Sequence, residues 1–300
     1  MIDRTLEKIE EKRKNRLSWI LAAPVLLWLV ILFLIPYLIV IIYSFLTPTI
    51  YDIQFAFSLE SFKRLVDPIY LRSFYISFRL AVVTTIACIF LGYPVAYYIA
   101  RKTEKVKNIL LLLIIIPFWT NFIIRIFAWR IFISANGLLN ELLMFAGIID
   151  DPLRILRTDL AVTMVMIYVY LPYMILPLYA NIEKIDFTLI EAAMDLGANR
   201  LKSFLKVTLP LSKEGIFAGS ILVFIPALGA YIIPQLVGNQ DYLYVGQIIA
   251  YKIKSIPRNW PLASALSLGL LVLVIVMLIL LYWFYKRVIK KENKLFFNEK

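Results

Sequence analysis

The side chains that usually perform acid–base and metal chemistry are scarce in this sequence. It has no histidine and a single cysteine, Cys88, which lies in an apolar run. Histidine is the commonest general base and metal ligand, so zinc hydrolases and histidine-dependent triads are excluded. A glycine-rich Walker A phosphate loop is also missing, so the chain has no usual means of binding ATP. We therefore predict a protein that is not an enzyme and carries no cofactor.

One polar loop, residues 186–210, is too charged to cross a membrane and too periodic to be a loose linker. Thr188 and Glu191 fit a capping box, which predicts a helix that starts at about Leu189. Apolar residues then recur at helical spacing until Gly197 ends the helix.

A second short helix is predicted in the same loop. Asn199 can cap it, and the apolar periodicity runs from Arg200 to about Val207 before Pro210 stops it. Two short helices joined by a glycine elbow can insert into a groove on a soluble partner protein.

The loop resembles the EAA motif of ABC importer permeases. The pattern of that family is Glu-Ala-Ala, three residues, Gly, nine residues and then Ile-x-Leu-Pro, and the one departure is Val207 in place of isoleucine. The matching residues are Glu191, Ala192, Ala193, Gly197, Leu209 and Pro210. In that family the loop docks on a separate ABC ATPase subunit, so the resemblance implies that these residues couple the chain to ATP hydrolysis.

Six apolar segments are long enough to cross a bilayer, which takes about 20 helical residues. Hydrophobic residues make up 62% of the chain and charged residues only 17%, whereas soluble domains carry about 25% charged residues. The predicted spans are residues 19–43, 74–100, 109–132, 160–180, 215–236 and 262–285. We predict an all-α polytopic membrane protein with six transmembrane helices, similar to the bundle of type I ABC importer permeases.

Lysine and arginine set the predicted orientation. With a cytoplasmic N-terminus, the inner segments hold 21 of the 32 Lys and Arg residues, the outer segments 8 and the spans 3. This predicts N-in/C-in topology: a cytoplasmic arm at 1–18, a permease domain at 19–285 that includes the 186–210 loop, and a cytoplasmic basic tail at 286–300. The same bias explains the net charge of +12, so nucleic-acid binding is not predicted.

Glycines and prolines interrupt the spans. Seven prolines in five spans indicate helices that bend around a pathway. Gly215 and Gly219 form a small-xxx-small step that permits close helix approach, within the chain by preference or else against a partner subunit.

The spans contain no aspartate or glutamate, so a cationic cargo could be held there only by aromatic faces and carbonyl groups. The candidate pathway residues are Trp119, Arg125, Tyr168, Tyr170 and Tyr173. Simple packing, or a belt at the membrane interface, is the competing interpretation of the aromatic residues.

Three arginines lie within or at the ends of spans, where exposure to lipid is costly. Arg79, Arg125 and Arg130 can snorkel towards the interface, and the latter two can instead frame the outer mouth or pair with outer acids. The candidate outer-mouth acids are Asp150, Asp151, Asp159 and Asp241. These acids could attract the cargo or receive a binding protein, and both roles stay open.

Residues 116–125 and 170–180 resemble the corresponding segments of spermidine/putrescine permeases, and specifically of their B subunit. The resemblance implies a polyamine cargo, an extracytoplasmic solute-binding protein, a second homologous permease subunit and a place in the bacterial inner membrane. The alternatives are a permease for a sugar, an iron chelate or an oxyanion, and a membrane assembly protein that transports nothing. Span arginines that faced the pathway would argue mildly against a cationic cargo.

Overall fold

The computed structural model describes residues 19, 21–48, 53–239 and 241–297, and these residues are mostly helical. They form two compact units, the first with the residues up to Leu65 and Lys252–Gly269, the second with Val66–Tyr251 and the residues from Leu270 onward. The helices are α1 Leu21–Ser44, α2 Glu60–Arg64, α3 Pro68–Ala100, α4 Glu104–Ile115, α5 Phe122–Phe132, α6 Leu138–Phe145, α7 Asp159–Ile182, α8 Thr188–Asp195, α9 Arg200–Leu211, α10 Lys213–Leu228, α11 Ile232–Val237, α12 Val245–Lys254 and α13 Trp260–Phe297.

Four of the described helices are long and apolar enough to cross a membrane: α1, α3, α7 and the Trp260–Leu280 part of α13. Two bent pairs pass the same test together. One pair is α4 with its 3₁₀ extension and α5, bent by 93°, and the other is α9 and α10, bent by 64°. The described chain therefore offers four spans, or six if each bent pair crosses once.

The third predicted span, 109–132, is not the continuous helix that the sequence suggested. A 3₁₀ turn, Ile116–Trp119, follows α4, and the chain bends sharply before α5. Pro117 lacks the N–H that a continuing helix needs. Asn121 then caps α5, because its Oδ1 accepts a hydrogen bond of 2.8 Å from the backbone N–H of Ile123.

The fifth predicted span, 215–236, is also interrupted. Helix α10 begins at Lys213 and ends at Leu228, with Gly229 as its C-cap, and the short helix α11 follows after a break. Pro234 lies within α11 and Pro226 within the last turn of α10, so prolines flank the break on both sides.

The remaining predicted spans correspond to single helices with different ends. Helix α3 starts at Pro68, six residues before the predicted boundary, and α13 continues to Phe297, into the predicted tail. The predicted arm at 1–18 lies outside the described residues. A small antiparallel sheet, β1 Leu46–Pro48 with β2 Ile53–Phe57, was not predicted, nor were α6 and α12.

The core of the second unit is formed by α3, α7 and α10, which pack against one another. Ala81, Cys88 and Ala96 of α3 are fully buried there. A Cβ on Gly215 would lie 2.8 Å from Asn181 Cβ, and one on Gly219 would lie 2.6 Å from Met174 Sδ. Both glycines thus permit the close approach of α10 to α7, and the in-chain interpretation of this step is confirmed.

In the first unit, α1 has a five-residue π-helical stretch, Val30–Leu34, and its residues before Ser44 include none that is buried. Phe45, just after α1, stacks on Phe57 of β2 and packs against Phe62 of α2, with ring centroids 5.7 and 4.9 Å away. These ring contacts hold the small sheet to the end of the helix.

Candidate functional site

The first helix of the 186–210 loop, α8, begins at Thr188, close to the predicted start. The predicted capping box is wrong, however, because Thr188 is already helical. Asp186 caps the turn instead: its Oδ1 accepts hydrogen bonds of 3.0 Å from the Thr188 backbone N–H and 2.8 Å from the Thr188 hydroxyl. These bonds lower the pKa of the Asp186 carboxyl. Glu191 is left exposed on the helix surface.

Gly197 ends α8 as predicted, and it does so with a full Schellman motif. The N–H of Ala198 donates to Ala193 O over 3.1 Å, and the N–H of Gly197 donates to Met194 O over 2.9 Å. Gly197 has φ +86°, and nothing lies within 4 Å of the place its Cβ would occupy. The backbone conformation, not a lack of space, is what requires glycine here.

The second helix of the loop, α9, starts as predicted and ends differently. Asn199 caps it by accepting a 2.8 Å hydrogen bond from Lys202 N. Pro210 does not stop the helix, which continues to Leu211. The π-helical turn Phe204–Thr208 precedes the proline. A π turn shifts the hydrogen-bond register by one residue, which lets the helix run on past a residue that has no N–H.

Both helices of the loop present large apolar side chains to the surroundings. Leu196, next to Gly197, is 90% exposed. Leu189 of α8 and Leu201 and Leu205 of α9 are also exposed, as is Ala192. Leu209 and Pro210 are half-buried at the far end of α9. Exposed apolar side chains this close together are typical of an interaction surface.

Aromatic side chains fix the loop to α3. Tyr93 packs edge-on against Phe204 at 5.4 Å between ring centroids, and Tyr97 contacts Phe187 and Phe204 at 6.2 and 6.5 Å. The buried Tyr93 hydroxyl is also 2.7 Å from the Oγ of Ser212, the residue between α9 and α10. The spacing of Tyr93 and Tyr97, four residues apart on one helix face, is a signal in the sequence that our prediction missed.

A pocket of about 390 Å³ opens between the loop and the end of α3. Glu191, Arg200 and Arg101 line it, together with the rings of Tyr97, Phe187 and Phe204. The guanidinium carbon of Arg101 lies 5.6 Å from the ring centres of both Tyr97 and Phe187. The motif residue Glu191 thus faces a concave surface that carries charge of both signs.

Three of the five pathway candidates come together at the bend between α4 and α5. Phe118 packs against Tyr173 at 5.2 Å, and Tyr173 lies 6.1 Å from Tyr170. The Arg125 guanidinium carbon is 5.5 Å from the Phe118 ring centre. We call Phe118, Arg125, Tyr170 and Tyr173 the pathway cluster.

The other two pathway candidates are placed elsewhere. Trp119 is 77% exposed, and Tyr168 packs against Trp129 with ring centroids 5.2 Å apart. Phe118, in contrast, belongs to the pathway cluster although our list of candidates omitted it. Its position next to Pro117 in the 3₁₀ turn could not be foreseen from a span read as one continuous helix.

Asp159, at the start of α7, is bound by three donors. It forms an ion pair with Arg79 and accepts hydrogen bonds from the hydroxyls of Tyr242 and Tyr244, the latter over 3.0 Å. Burial, and then the nearby Asp159 carboxylate, raise the pKa of Tyr242 to about 12, and the same two causes raise the pKa of Tyr244. We call these four residues the Asp159 cluster.

The Asp159 cluster changes two expectations for the charged residues. Arg79, rather than Arg125 or Arg130, pairs with Asp159, so that acid is occupied within the chain. Asp150, Asp151 and Asp241 are exposed. The Nε of Arg125 is buried without a hydrogen-bond partner, which fits a guanidinium whose plane lies against aromatic rings.

Comparisons with known proteins identify the family and the fold of the chain. Residues 89–290 match the family described as binding-protein-dependent transport system inner membrane component. The chain is 41% identical over 269 residues to the spermidine/putrescine transport system permease protein PotB of Escherichia coli (strain K12), covering 89% of this chain and 97% of that protein. It is 38% identical to the protein of the same name from Salmonella typhimurium (strain SL1344), covering 94% and 98%.

The fold is similar to that of a chain in a solved bacterial ABC transporter involved in the import of the acidic polysaccharide alginate. The TM-score is 0.70 at 16% identity, and the match covers 93% of this chain and 98% of that one. A second structure of an alginate ABC transporter, in complex with an alginate pentasaccharide-bound periplasmic protein, gives a TM-score of 0.71 at 16% identity. This likeness concerns the fold alone.

Replacing Asp159 tests the Asp159 cluster. We expect Asp159→Asn to lower the free energy of unfolding by about 1–3 kcal/mol, because the guanidinium and two hydroxyls lose a charged acceptor. The matched control, Asp241→Asn, removes an exposed carboxylate and should change little. Thermal unfolding of the purified protein in detergent measures both, and equal melting temperatures for the two variants would refute the arrangement.

Proposed function

The chain belongs to the family of binding-protein-dependent transport system inner membrane components, and from this premise we propose that it is the permease subunit of an ATP-driven importer of the polyamines spermidine and putrescine. The observation that best supports this proposal is the 41% identity to a spermidine/putrescine permease over nearly the full length of both chains. A transport subunit with no nucleotide site of its own must take energy from another protein. Polyamines are multivalent cations, and because the predicted spans lack acids, aromatic faces and carbonyl groups are what they offer to such a cargo.

The proposed contact with the ATPase subunit is the 186–210 loop. Glu191, Ala192, Ala193, Gly197, Leu209 and Pro210 are the proposed coupling residues. The exposed leucines around the glycine elbow support this role, because an exposed apolar helix face is stabilised by a groove on a partner. The aromatic contacts to α3 would carry a displacement of the loop into the membrane.

The proposed topology has six spans with both termini in the cytoplasm. Helices α4 and α5 together cross once, and α10 with α11 forms the fifth span while α9 stays in the cytoplasmic loop. The excess of Lys and Arg on one side supports it and places the 186–210 loop on the side of the ATPase. We propose that a second, homologous permease subunit completes the pathway. A solute-binding protein would dock at the outer face, where Asp150, Asp151 and Asp241 are exposed.

The pathway cluster is the proposed route of the cargo. The rings of Tyr170 and Tyr173 offer faces to an ammonium group of the cargo, whereas Arg125 already covers the Phe118 ring and its positive charge argues mildly against a cationic cargo there. Because rings and carbonyls hold cations weakly, this cluster would pass the cargo on while tight capture is left to the binding protein.

Uptake measurements test the cargo. We expect cells without their own polyamine uptake to accumulate radiolabelled spermidine and putrescine when they express the chain with the proteins that co-purify with it from its host. The control lacks only this chain. Uptake of labelled maltose, an iron chelate or sulfate instead would assign another solute, and uptake of none of them would favour an assembly protein.

A pair of glycines tests the coupling loop. Gly197→Ala and Gly147→Ala each place a side chain at positive φ in open space, so each should cost about 1–2 kcal/mol of local strain. Only Gly197 lies in the loop. We expect Gly197→Ala to reduce uptake about fivefold or more, since coupling free energies are of that size, and Gly147→Ala to leave it nearly unchanged. Equal uptake by both variants in the complete complex would rule out the proposed role.

Tyr173 tests the pathway cluster. Tyr173→Ala removes a ring whose contact with a cation contributes about 0.5–2 kcal/mol, so polyamine uptake should fall by up to about thirtyfold. Tyr173→Phe keeps the ring and should keep the uptake. The control is Tyr75→Ala, which removes an exposed ring of α3. Uptake that tracks the hydroxyl rather than the ring would contradict a cation–π contact.

A further inference from the structure

A buried lysine near the start of α4 belongs neither to the proposed coupling residues nor to the pathway cluster. Lys107 Nζ lies 2.8 Å from Glu183 Oε1 and 3.2 Å from Glu104 Oε1, and the lysine side chain is only 11% exposed. Lysine is almost never buried unless it is paired. The lysine thus depends on its acid partners, and Glu183, the closer one, belongs to a distant part of the chain.

Glu183 stands where α7 leads into the 186–210 loop. It is the C-cap residue of α7, and α8 begins at Thr188. Its Oε1 also accepts a 2.5 Å hydrogen bond from the hydroxyl of Tyr179, one turn earlier. The hydrogen bonds from Lys107 and then Tyr179 lower the pKa of the Glu183 carboxyl, so it is charged at neutral pH. Lys107 and Tyr179 together hold this carboxylate in one place.

The two ends of α4 connect two parts of the proposed mechanism. Lys107 lies in its first turn, against the connector to the 186–210 loop. At the other end the helix continues through the 3₁₀ turn that carries Phe118, which contacts Tyr173 and Arg125. A helix is a rigid element, so a displacement applied at Lys107 moves the bend.

We propose that the Lys107–Glu183 ion pair is a positioning contact that transmits movement of the 186–210 loop along α4 to the pathway cluster. This inference rests on the proposed function. The aromatic contacts of Tyr93 and Tyr97 connect the loop to α3, whereas the ion pair connects it to the broken third span. The lysine is the buried member of the pair, whereas Glu183 is 36% exposed, so separating them leaves Lys107 with Glu104 as its remaining acid partner and makes the position of the loop connector sensitive to this contact.

The test uses the complete complex of this chain with its ATPase, second permease and binding protein in proteoliposomes. Lys107→Met keeps the length of the side chain and removes the charge. We expect it to reduce labelled spermidine uptake per ATP hydrolysed about fivefold or more, at an unchanged amount of assembled complex. Glu183→Gln, which keeps the shape of the side chain, should act in the same direction. Glu104→Gln is the matched control, because Glu104 touches the same lysine but is 80% exposed.

Restoring the ion pair should restore the amount of spermidine taken up per ATP hydrolysed. Lys107→Arg keeps the charge, and the double exchange Lys107→Glu with Glu183→Lys keeps the pair, so both should recover uptake per ATP. A purely structural role would lower the yield of complex and leave that ratio unchanged. An unchanged ratio in both Lys107→Met and Glu183→Gln overturns the proposal.

A second measurement separates this proposal from the proposed function. Binding of the ATPase subunit should change amide hydrogen exchange at residues 116–121 in the unmodified chain and leave it unchanged in Lys107→Met. If the unmodified complex moves no polyamine but shows this difference, the cargo is wrong and the positioning contact stands. The same exchange response in both chains means that α4 receives no movement through Lys107.

Discussion

The close approach of α10 to α7 at Gly215 and Gly219 fixes where the chain between these helices, the 186–210 loop, begins and ends. The 186–210 loop leaves α7 after Ile182 and returns through α9 to α10 at Lys213. Because Gly215 lies against Asn181, both ends of the loop are held side by side. The two short helices of the loop, α8 and α9, are therefore anchored at both ends. A side chain larger than hydrogen at Gly215 would push the end of α7 and the start of α10 apart.

Lipid imposes the second constraint, because a backbone group without a partner is costly there. The chain nevertheless breaks its third and fifth spans, and it supplies local partners at each break. Asn121 caps α5, and the N–H of Gly229 bonds back to Ile225 O. Breaks of this kind are tolerated where they are buried in protein or line a wet cavity. The first break carries Phe118 and Arg125, which is why the pathway cluster lies there and not along an unbroken helix.

The sequence was a good guide where local chemistry decides the structure. Gly197 as an elbow and Asn199 as a cap depend on residues within one or two turns, and the structure has both, although the Thr188 capping box and the stop at Pro210 are missing. It was a poor guide where distant residues decide. The pairing of Asp159 with Arg79 and the contact of Lys107 with Glu183 both depend on which helices pack together. A periodic apolar pattern does not contain that information.

Partners of the charged side chains Asp159 and Lys107 also lie far away in the sequence. Asp159 is bound by Arg79 and two tyrosines, and Lys107 by two glutamates, so two of these ion pairs connect helices and loops of the second unit that are distant in the chain. Arg125 differs, because aromatic rings and not a carboxylate cover its guanidinium. Its positive charge would repel a cationic cargo, so only ring faces that Arg125 leaves free could attract one. Ring faces attract a cation weakly enough for it to leave.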